Sequence, residues 1–162
     1  MTYTITLERN TLRFSAAHFT TFGAECEPLH GHNYAVSVEI EGELTADSWV
    51  FDFVEAKRIV AAICKGLDHR FILPLGNAAL TVAADDTEYE IAFDTRRYVV
   101  PRQDVAALPI DNSTAERLAE WVAGRLEAEL RTRGTSNLTR IKVGVEEAPG
   151  QAGWYEMALG SS

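Results

Sequence analysis

The chain has 162 residues, the size of one domain, and we expect a single domain over residues 1–162. Its formal net charge of −9, from 24 acidic and 15 basic side chains, argues against non-specific binding to nucleic acid or to an anionic membrane. Residues 1–20 lack a basic start followed by an apolar run, and two cysteines do not make a disulfide framework. We therefore expect an unexported, soluble protein of the cytoplasm.

The first half of the chain alternates apolar and polar residues, which predicts strands with one buried face. Apolar positions are odd-numbered in residues 3–7 and even-numbered in residues 12–16, so we expect a bulge or irregularity near residues 9–11. This change of parity puts His18 on the buried face. A second strand is expected over roughly residues 32–44, with its even-numbered residues pointing inward.

Two amphipathic helices are predicted, each opened by a capping box. The first box spans residues 52–55, and apolar residues recur at helical spacing after it for about four turns, to Leu67. The second box spans residues 113–116, and its helix is expected to stop before Gly134. Between the helices, short apolar runs separated by aspartate turns predict an extra β-hairpin around residues 79–101.

The last predicted elements are two strands joined by a turn at Pro149 and Gly150. Strands thus occur in pairs, and the helices lie between the pairs along the chain. This order predicts an α+β fold, in which a four-stranded antiparallel sheet carries both helices on one face.

Three of the four histidines share the inward side of the predicted strands. His30 and His32 are one residue apart, so both imidazoles point to the same side of the sheet, about 6.6 Å apart along the backbone. His18 ends the preceding strand with the same orientation. A single inward histidine is more often a hydrogen-bonded core residue, but three together favour a metal site. Three histidines with an open fourth position are typical of catalytic zinc, although neutral imidazoles also suit copper, iron and nickel.

Two further positions are candidates for proton transfer. Cys26 lies four residues before His30, outside any Cys-x-x-Cys pair, and is either a reactive thiol near the metal or an ordinary buried side chain. Asp68 precedes His69 at the end of the first helix. An acid beside an imidazole can tune a proton-transfer group, but the pair also fits a helix C-terminal acid and a surface imidazole.

Glu147 is a candidate for ligand binding because it has the inward orientation of Val143 and Val145. An unpaired buried carboxylate is costly, so Glu147 either lies at a frayed strand end or binds a ligand with N–H donors, such as the guanidine-like edge of a pterin or guanine. Thr114 and Ala115 are explained as helix N-terminal residues, although N–H groups there can also bind a ring carbonyl.

Six motifs together resemble the 6-pyruvoyltetrahydropterin synthase and 6-carboxytetrahydropterin synthase superfamily. They are, in order, Phe14-Ser15-Ala16-Ala17-His18, Cys26-x3-His30-Gly31-His32-Asn33-Tyr34, Phe51-Asp52-Phe53, Leu67-Asp68-His69-Arg70-Phe71, Ser113-Thr114-Ala115-Glu116 and Val145-Glu146-Glu147. The resemblance covers about residues 12–159 and implies the tunnelling fold. It also implies a homo-oligomer, a trimer or a face-to-face hexamer, with active sites between subunits.

The resemblance also implies a role for each candidate residue and a small-molecule substrate, 7,8-dihydroneopterin triphosphate. The implied roles are Zn2+ ligation by His18, His30 and His32, proton transfer by Cys26, Asp68 and His69, with Cys26 donated across an interface, and substrate binding by Glu147, Thr114 and Ala115. Two departures are the length of residues 75–110 and the presence of Ala115 where many members have a hydroxyl.

The three-residue gap between Cys26 and His30 resembles the carboxytetrahydropterin branch of the queuosine pathway. That branch implies a zinc-dependent lyase that forms 6-carboxy-5,6,7,8-tetrahydropterin with loss of triphosphate and acetaldehyde. One alternative is a 6-pyruvoyltetrahydropterin synthase or a divergent pterin-converting homologue. Another, of a different class, is a zinc- or pterin-binding protein without turnover.

Overall fold

The computed structural model describes residues 1–8 and 11–160, so most of the irregularity expected near residues 9–11 lies outside the described residues. The elements are β1 Tyr3–Leu7, β2 Arg13–His18, β3 Thr21–Phe22, β4 Glu25–Cys26, β5 His30–Gly42, α1 Phe53–Leu67, β6 Arg70–Pro74, β7 Thr81–Ala84, β8 Glu88–Phe93, β9 Arg96–Pro101, β10 Val105–Leu108, α2 Ala115–Thr132, β11 Leu138–Ala148 and β12 Gln151–Ala158. None of the described helices is both long enough and apolar enough to cross a bilayer. A cytoplasmic location stays a prediction.

The centre of the molecule is a seven-stranded sheet in the order β10-β6-β2-β5-β11-β12. The seventh strand, β1, pairs with β5 as well, so β1 and β2 follow one another along the same edge of that long strand. Strands β2, β5, β11 and β12 form the predicted four-stranded antiparallel unit. The predicted α+β class is therefore confirmed, on a sheet larger than expected.

The additional strands β6 and β10 make the sheet mixed, because β6 runs parallel to β2 and β10 runs parallel to β6. Neither strand shows the alternation that marks a half-exposed strand. Four of the five residues of β6 are buried, and so are three of the four residues of β10. Parallel strands buried on both faces have continuous apolar runs, and such short runs carry no periodic signal.

Both helices pack on one face of the sheet and form the main core with it. The inward residues of β5 and β11 are fully buried, as their alternation predicts: Tyr34, Val36, Val38, Ile40, Ile141, Val143 and Val145. Asp52 caps α1, with its side chain accepting a hydrogen bond from the Val54 N–H at 3.0 Å. The apolar face of α1 does not extend to Phe53, whose side chain is 49% exposed.

The prediction that Ser113 caps the second helix is wrong. Thr114, rather than Ser113, is the N-cap of α2, and its hydroxyl accepts a hydrogen bond from the Arg117 N–H at 3.4 Å. Ser113 is fully buried and donates its hydroxyl hydrogen to the Phe19 carbonyl at 2.9 Å. The helix therefore begins one residue later, because Ser113 is held by β2 rather than by the helix.

The segment between the helices forms a separate three-stranded antiparallel sheet, β7-β8-β9, in which the short apolar runs are strands as predicted and which has one strand more than a hairpin. The turns at residues 85–86 and 94–95 lie where the aspartates predict them. This small sheet packs against a second core, made of Phe19, Cys26, Phe71, Leu73, Ile91 and Val105. The segment β7–β9, called the insert below, thus packs against the chain that follows β2.

Candidate metal and substrate site

The three predicted metal ligands are brought together at one end of the β2–β5 pair. His18 and His30 lie directly opposite each other in the strand register, and His32 follows two positions along β5. One ring nitrogen from each of the three lies within 4.8 Å of the others. The sequence-based grouping is therefore confirmed as geometry, and the cluster has the ligand number of a catalytic zinc centre.

Hydrogen bonds orient two of these rings with Nε2 toward the cluster. The Nδ1 of His18 lies 2.9 Å from the Ser113 carbonyl, and the Nδ1 of His30 lies 2.8 Å from the Pro28 carbonyl. A carbonyl only accepts, so each Nδ1 carries the hydrogen and each Nε2 keeps a free lone pair. Backbone carbonyls commonly fix metal-bound imidazoles in this way.

The Nε2 of His18 is buried and hydrogen-bonds to nothing in residues 1–8 and 11–160. Leaving a buried polar atom unpaired costs about 1–3 kcal/mol, a cost that a coordinated cation would remove. Burial also lowers the pKa of His18 from 6.5 to about 4, so the ring is neutral at pH 7. Neutral imidazole is the form that binds a metal. The donor set therefore fits Zn2+.

The three rings open into a cavity of about 450 Å³ between the ends of β5, β11 and α2. The cavity also contains all three residues predicted to bind substrate. Its lining is His18, Thr20, Glu27, His30, His32, Thr114, Ala115, Glu116, Glu147, Gln151, Ala152 and Gly153.

Glu147 reaches the cavity from an irregularity in the β11–β12 pair. Glu146 pairs with Ala152 and Ala148 pairs with Gln151, which leaves Glu147 as an extra residue between them. Such bulges redirect a side chain at the end of a strand. Glu147 is half-buried, so its carboxylate is partly shielded from water and available to a ligand.

Gly153 allows the start of α2 to approach this strand pair. A Cβ at this position would lie 2.5 Å from the Glu116 nitrogen and 2.6 Å from the Ala115 carbonyl carbon. These separations are shorter than van der Waals contact, so any larger residue would push the helix away. Gly153 thus sets the depth of the cavity at its helical wall.

Glu27 is the residue of this site that the sequence analysis missed. Its Oε2 accepts a hydrogen bond from the Thr20 N–H at 3.0 Å, and its side chain lines the cavity. Partial burial alone would raise the pKa of Glu27, but the Thr20 hydrogen bonds and the nearby His30 and His18 hold that pKa below its usual value. Its spacing of three residues before His30 is the signal that could have indicated it.

The side chain of the adjacent Cys26 points away from the histidine cavity and into the second core. Its side chain is 7% exposed and belongs to the second core, and its Sγ lies 3.5 Å from the Glu27 carbonyl oxygen. Burial raises the pKa of the Cys26 thiol, although Arg96 partly opposes this. Cys26 is absent from the lining of the histidine cavity, so a single chain does not bring it to the three histidines. Its catalytic role stays a prediction.

Asp68 and His69 form the predicted acid–imidazole pair, but neither residue lines the histidine cavity. The Oδ2 of Asp68 lies 2.8 Å from the Nδ1 of His69, and its Oδ1 accepts from the Ser15 N–H at 2.8 Å. The Ser15 N–H and then His69 lower the pKa of Asp68, so it is ionised at neutral pH.

His69 has a positive φ of 56° and a side chain that is 83% exposed. It lines a second cavity, of about 520 Å³, together with Ser15, Ala17 and Asn33, and His32 lines both this cavity and the histidine cavity. Ser15, Ala17 and Asn33 alternate with the buried residues of β2 and β5, which places this cavity on the face of the sheet without helices.

Comparison with known proteins shows which family the chain is similar to. The sequence model described as 6-pyruvoyl tetrahydropterin synthase matches residues 6–158. A protein of Methanocaldococcus jannaschii, named putative 6-carboxy-5,6,7,8-tetrahydropterin synthase, is 37% identical over 149 residues, which are 91% of each chain. A dihydroneopterin monophosphate aldolase of Pyrococcus furiosus is 42% identical over 117 residues, covering 72% of this chain and 71% of the relative.

Solved structures show the same fold. The crystal structure of 6-pyruvoyl tetrahydropterin synthase from Plasmodium vivax has a TM-score of 0.92 at 30% identity, with 98% of this chain and 99% of that chain covered. A second P. vivax structure carries alanine in place of a glutamate described as a catalytic residue. The tunnelling fold implied by the sequence motifs is confirmed by this likeness.

Proposed function

The chain belongs to the 6-pyruvoyl tetrahydropterin synthase family, and from that premise we propose that it is a zinc-dependent lyase acting on 7,8-dihydroneopterin triphosphate. The proposed products are 6-carboxy-5,6,7,8-tetrahydropterin, triphosphate and acetaldehyde. One observation carries the proposal: a single cavity holds the three-histidine cluster, Glu147 and the first turn of α2. Binding to nucleic acid is not expected, because the net charge is −9.

Each wall of the cavity has a proposed task in binding the substrate. Glu147 accepts hydrogen bonds from the amino and ring N–H groups of the pterin, a pairing of a carboxylate with two parallel donors. Thr114 and Ala115 lie at the first turn of α2, where backbone N–H groups lack partners within the helix and can donate to a ring carbonyl. The three imidazoles would hold Zn2+, His18 and His30 through the Nε2 that their Nδ1 hydrogen bonds leave free and His32 through a ring nitrogen. Zn2+ in this place would polarise the side-chain hydroxyls and make the adjacent C–H more acidic.

Proton transfer is assigned to Glu27 together with the Asp68–His69 pair. Glu27 is ionised and borders the cavity, so it can accept a proton from a substrate held beside the histidines. The Asp68 carboxylate orients the His69 ring through Nδ1, which leaves Nε2 to exchange a proton. Cys26 remains the thiol predicted from the family resemblance, and comparison of its variants with those of Glu27 decides between the two.

Assembly into a homo-oligomer is part of the proposal, because in one chain His69 lines the second cavity, which shares only His32 with the histidine cavity. A trimer or hexamer would let one subunit supply the acid–imidazole pair to the metal cluster of its neighbour. Mixing His32→Ala protein with His69→Ala protein under subunit-exchange conditions tests this. Recovered turnover supports shared sites, and no recovery in verified mixed oligomers contradicts them.

An aldolase activity is the second candidate. The P. furiosus relative, 42% identical, is named a dihydroneopterin monophosphate aldolase, and the proton acceptor at this cavity is a carboxylate. In such a reaction the base removes the proton of the second side-chain hydroxyl, the bond between the first and second side-chain carbons breaks, and its electron pair moves into the ring system. The second side-chain carbon leaves as the aldehyde of glycolaldehyde phosphate, and the first side-chain carbon is protonated, which leaves a hydroxymethyl group on the pterin.

Product identification by mass separates these reactions. The purified, zinc-loaded protein is incubated with 7,8-dihydroneopterin triphosphate, and with the monophosphate in parallel. Acetaldehyde and a 6-carboxy product support the first proposal. A hydroxymethyl pterin without acetaldehyde contradicts it in favour of the aldolase, and a pyruvoyl product assigns the chain to that branch. Stoichiometric ligand binding without any product identifies a binding protein.

A further inference from the structure

Arg96 connects the small inserted sheet to the backbone of the cavity wall. It is the first residue of β9, and its guanidinium donates hydrogen bonds to the carbonyls of two consecutive residues, Cys26 and Glu27. The bond to the Glu27 carbonyl is 3.1 Å long. The arginine is half-buried and stacks over Phe93, with 5.6 Å between its Cζ and the ring centroid. One side chain of the insert thus holds two neighbouring peptide groups.

These two carbonyls lie on either side of the Glu27 α-carbon. Each belongs to a planar peptide group, so fixing both planes fixes φ and ψ of Glu27. Pro28 restricts the same residue further, because a residue before proline is confined to extended conformations. The Glu27 N–H donates to the Thr20 carbonyl at 2.9 Å. The direction of the Glu27 Cα–Cβ bond is therefore set by its backbone, on which Arg96 is a main constraint, and the Thr20 N–H then holds the carboxylate at 3.0 Å.

The insert can hold this position because it is anchored in the second core. Ile91 is fully buried there beside Cys26, and the Tyr98 ring lies 5.3 Å from the Phe19 ring. Packed interiors resist small displacements, so the start of β9 is a firm support. Cys26 anchors the loop inward while Glu27 faces the cavity.

We propose that Arg96 is a positioning residue that holds the Glu27 carboxylate at the histidine cavity, and that this is a function of the inserted sheet. The inference rests on the proposed function, in which Glu27 transfers the proton. Arg96 does not line the cavity, so it acts through Glu27.

The adjacent Arg97 is a matched control. It has the same side chain in the same strand, but it pairs with Glu90 across β8 at 2.8 Å and is exposed. Arg96→Met should lower kcat by about 10- to 100-fold, since a misplacement of about 1 Å can cost that much. KM and zinc content should stay close to those of the wild type, and Tm should fall because two partly buried carbonyls lose a donor. Arg97→Met should keep kcat within about twofold, as expected for an exposed ion pair.

Arg96→Lys tests whether the positive charge of Arg96 or its hydrogen bonds to two carbonyls matter for kcat. Arg96→Lys keeps the charge but cannot donate through a rigid fork to two carbonyls, so its kcat should remain below that of the wild type. If Arg96→Lys restores wild-type kcat, charge alone suffices and the positioning role is overturned. Should Arg96→Met fail to fold, Arg96→Gln keeps one N–H donor group and is measured in the same way.

The decisive measurement places Arg96→Met in a Glu27→Gln background. If Arg96 acts through Glu27, the second substitution lowers the residual turnover no further. An equal loss in both backgrounds overturns the positioning role and leaves the role of Glu27 intact, as does wild-type kcat in Arg96→Met alone. Wild-type kcat in Glu27→Gln alone would instead contradict the proposed function of Glu27 as the proton-transfer group. Arg96 would then have no catalytic carboxylate to position.

Discussion

The histidine cavity and the second cavity, which share His32, differ in the surroundings of His18 and His69. In the histidine cavity, His18 is 1% exposed, donates through Nδ1 to a backbone carbonyl and is held neutral by burial. In the second cavity, His69 is 83% exposed and contacts a carboxylate. A buried neutral ring is suited to ligate a metal, whereas an exposed ring beside an acid is suited to carry a proton. The surroundings of each ring, rather than the residue type, separate the two roles.

The largest effect is expected from removing one ring of the metal cluster. His32→Ala should lose stoichiometric zinc and reduce turnover to background, because two imidazoles remain where three converge. The matched substitution in the second cavity, His69→Ala, should keep zinc and lower kcat by about 10²- to 10⁴-fold, the usual contribution of a general acid or base. Metal analysis and steady-state rates measure both. Zinc retained in His32→Ala would refute the three-histidine site.

The second prediction compares the adjacent residues Glu27 and Cys26, which face different regions. Glu27→Gln should lower kcat by about 10²- to 10⁴-fold with zinc retained, because it removes the carboxylate that borders the cavity. Cys26→Ser should lower kcat less and act mainly on Tm, since the thiol packs in the second core. The reverse order of the two effects on kcat would contradict the assignment to Glu27 and support the catalytic thiol.

The third prediction concerns the pH dependence of stability in metal-free protein. The pKa of His18 is about 4 when folded and 6.5 ordinarily, so below pH 6.5 the unfolded chain takes up a proton that the folded chain refuses. The contribution of His18 to the free energy of unfolding is complete above pH 6.5. It should fall as the pH drops toward 4, by up to about 3 kcal/mol.

Urea unfolding in the presence of a chelator, repeated between pH 4 and 7, measures this slope. His18→Gln cannot titrate and should have a smaller slope across the same range. Equal slopes in His18→Gln and the wild type would show that His18 is not held neutral by burial.

The smallest expected effect tests the helical wall of the histidine cavity. Gly153→Ala should destabilise the protein by about 1–3 kcal/mol, because the new methyl group would overlap the start of α2. It should also raise KM for the pterin by moving Thr114 and Ala115. Gly124→Ala is the control, since its Cβ would meet nothing within 4 Å and should stabilise the helix by up to about 1 kcal/mol. Equal effects on Tm would show that Gly153 has room for a side chain.

Most of the antiparallel unit and the grouping of the three histidines could be predicted from local patterns. Alternation placed Tyr34 and Val36 inward, and the same period placed His30 and His32 on one side. The helix that ends at Leu67 was predicted because its capping box and spacing are properties of one segment. The strands β6 and β10 were not predicted, because short strands buried on both faces show no periodicity.

The sequence by itself determined which residue types recur at which period, and so the α+β class, the three inward histidines and Glu147. Only the tertiary structure decided the role of a residue where the sequence allowed two roles. Ser113 became a partner of His18 instead of a helix cap, and Glu27 rather than Cys26 faced the cavity. Periodicity sorts residues by face within one element, whereas these choices depend on contacts with segments far away in the chain, such as β2 and Arg96 of the insert.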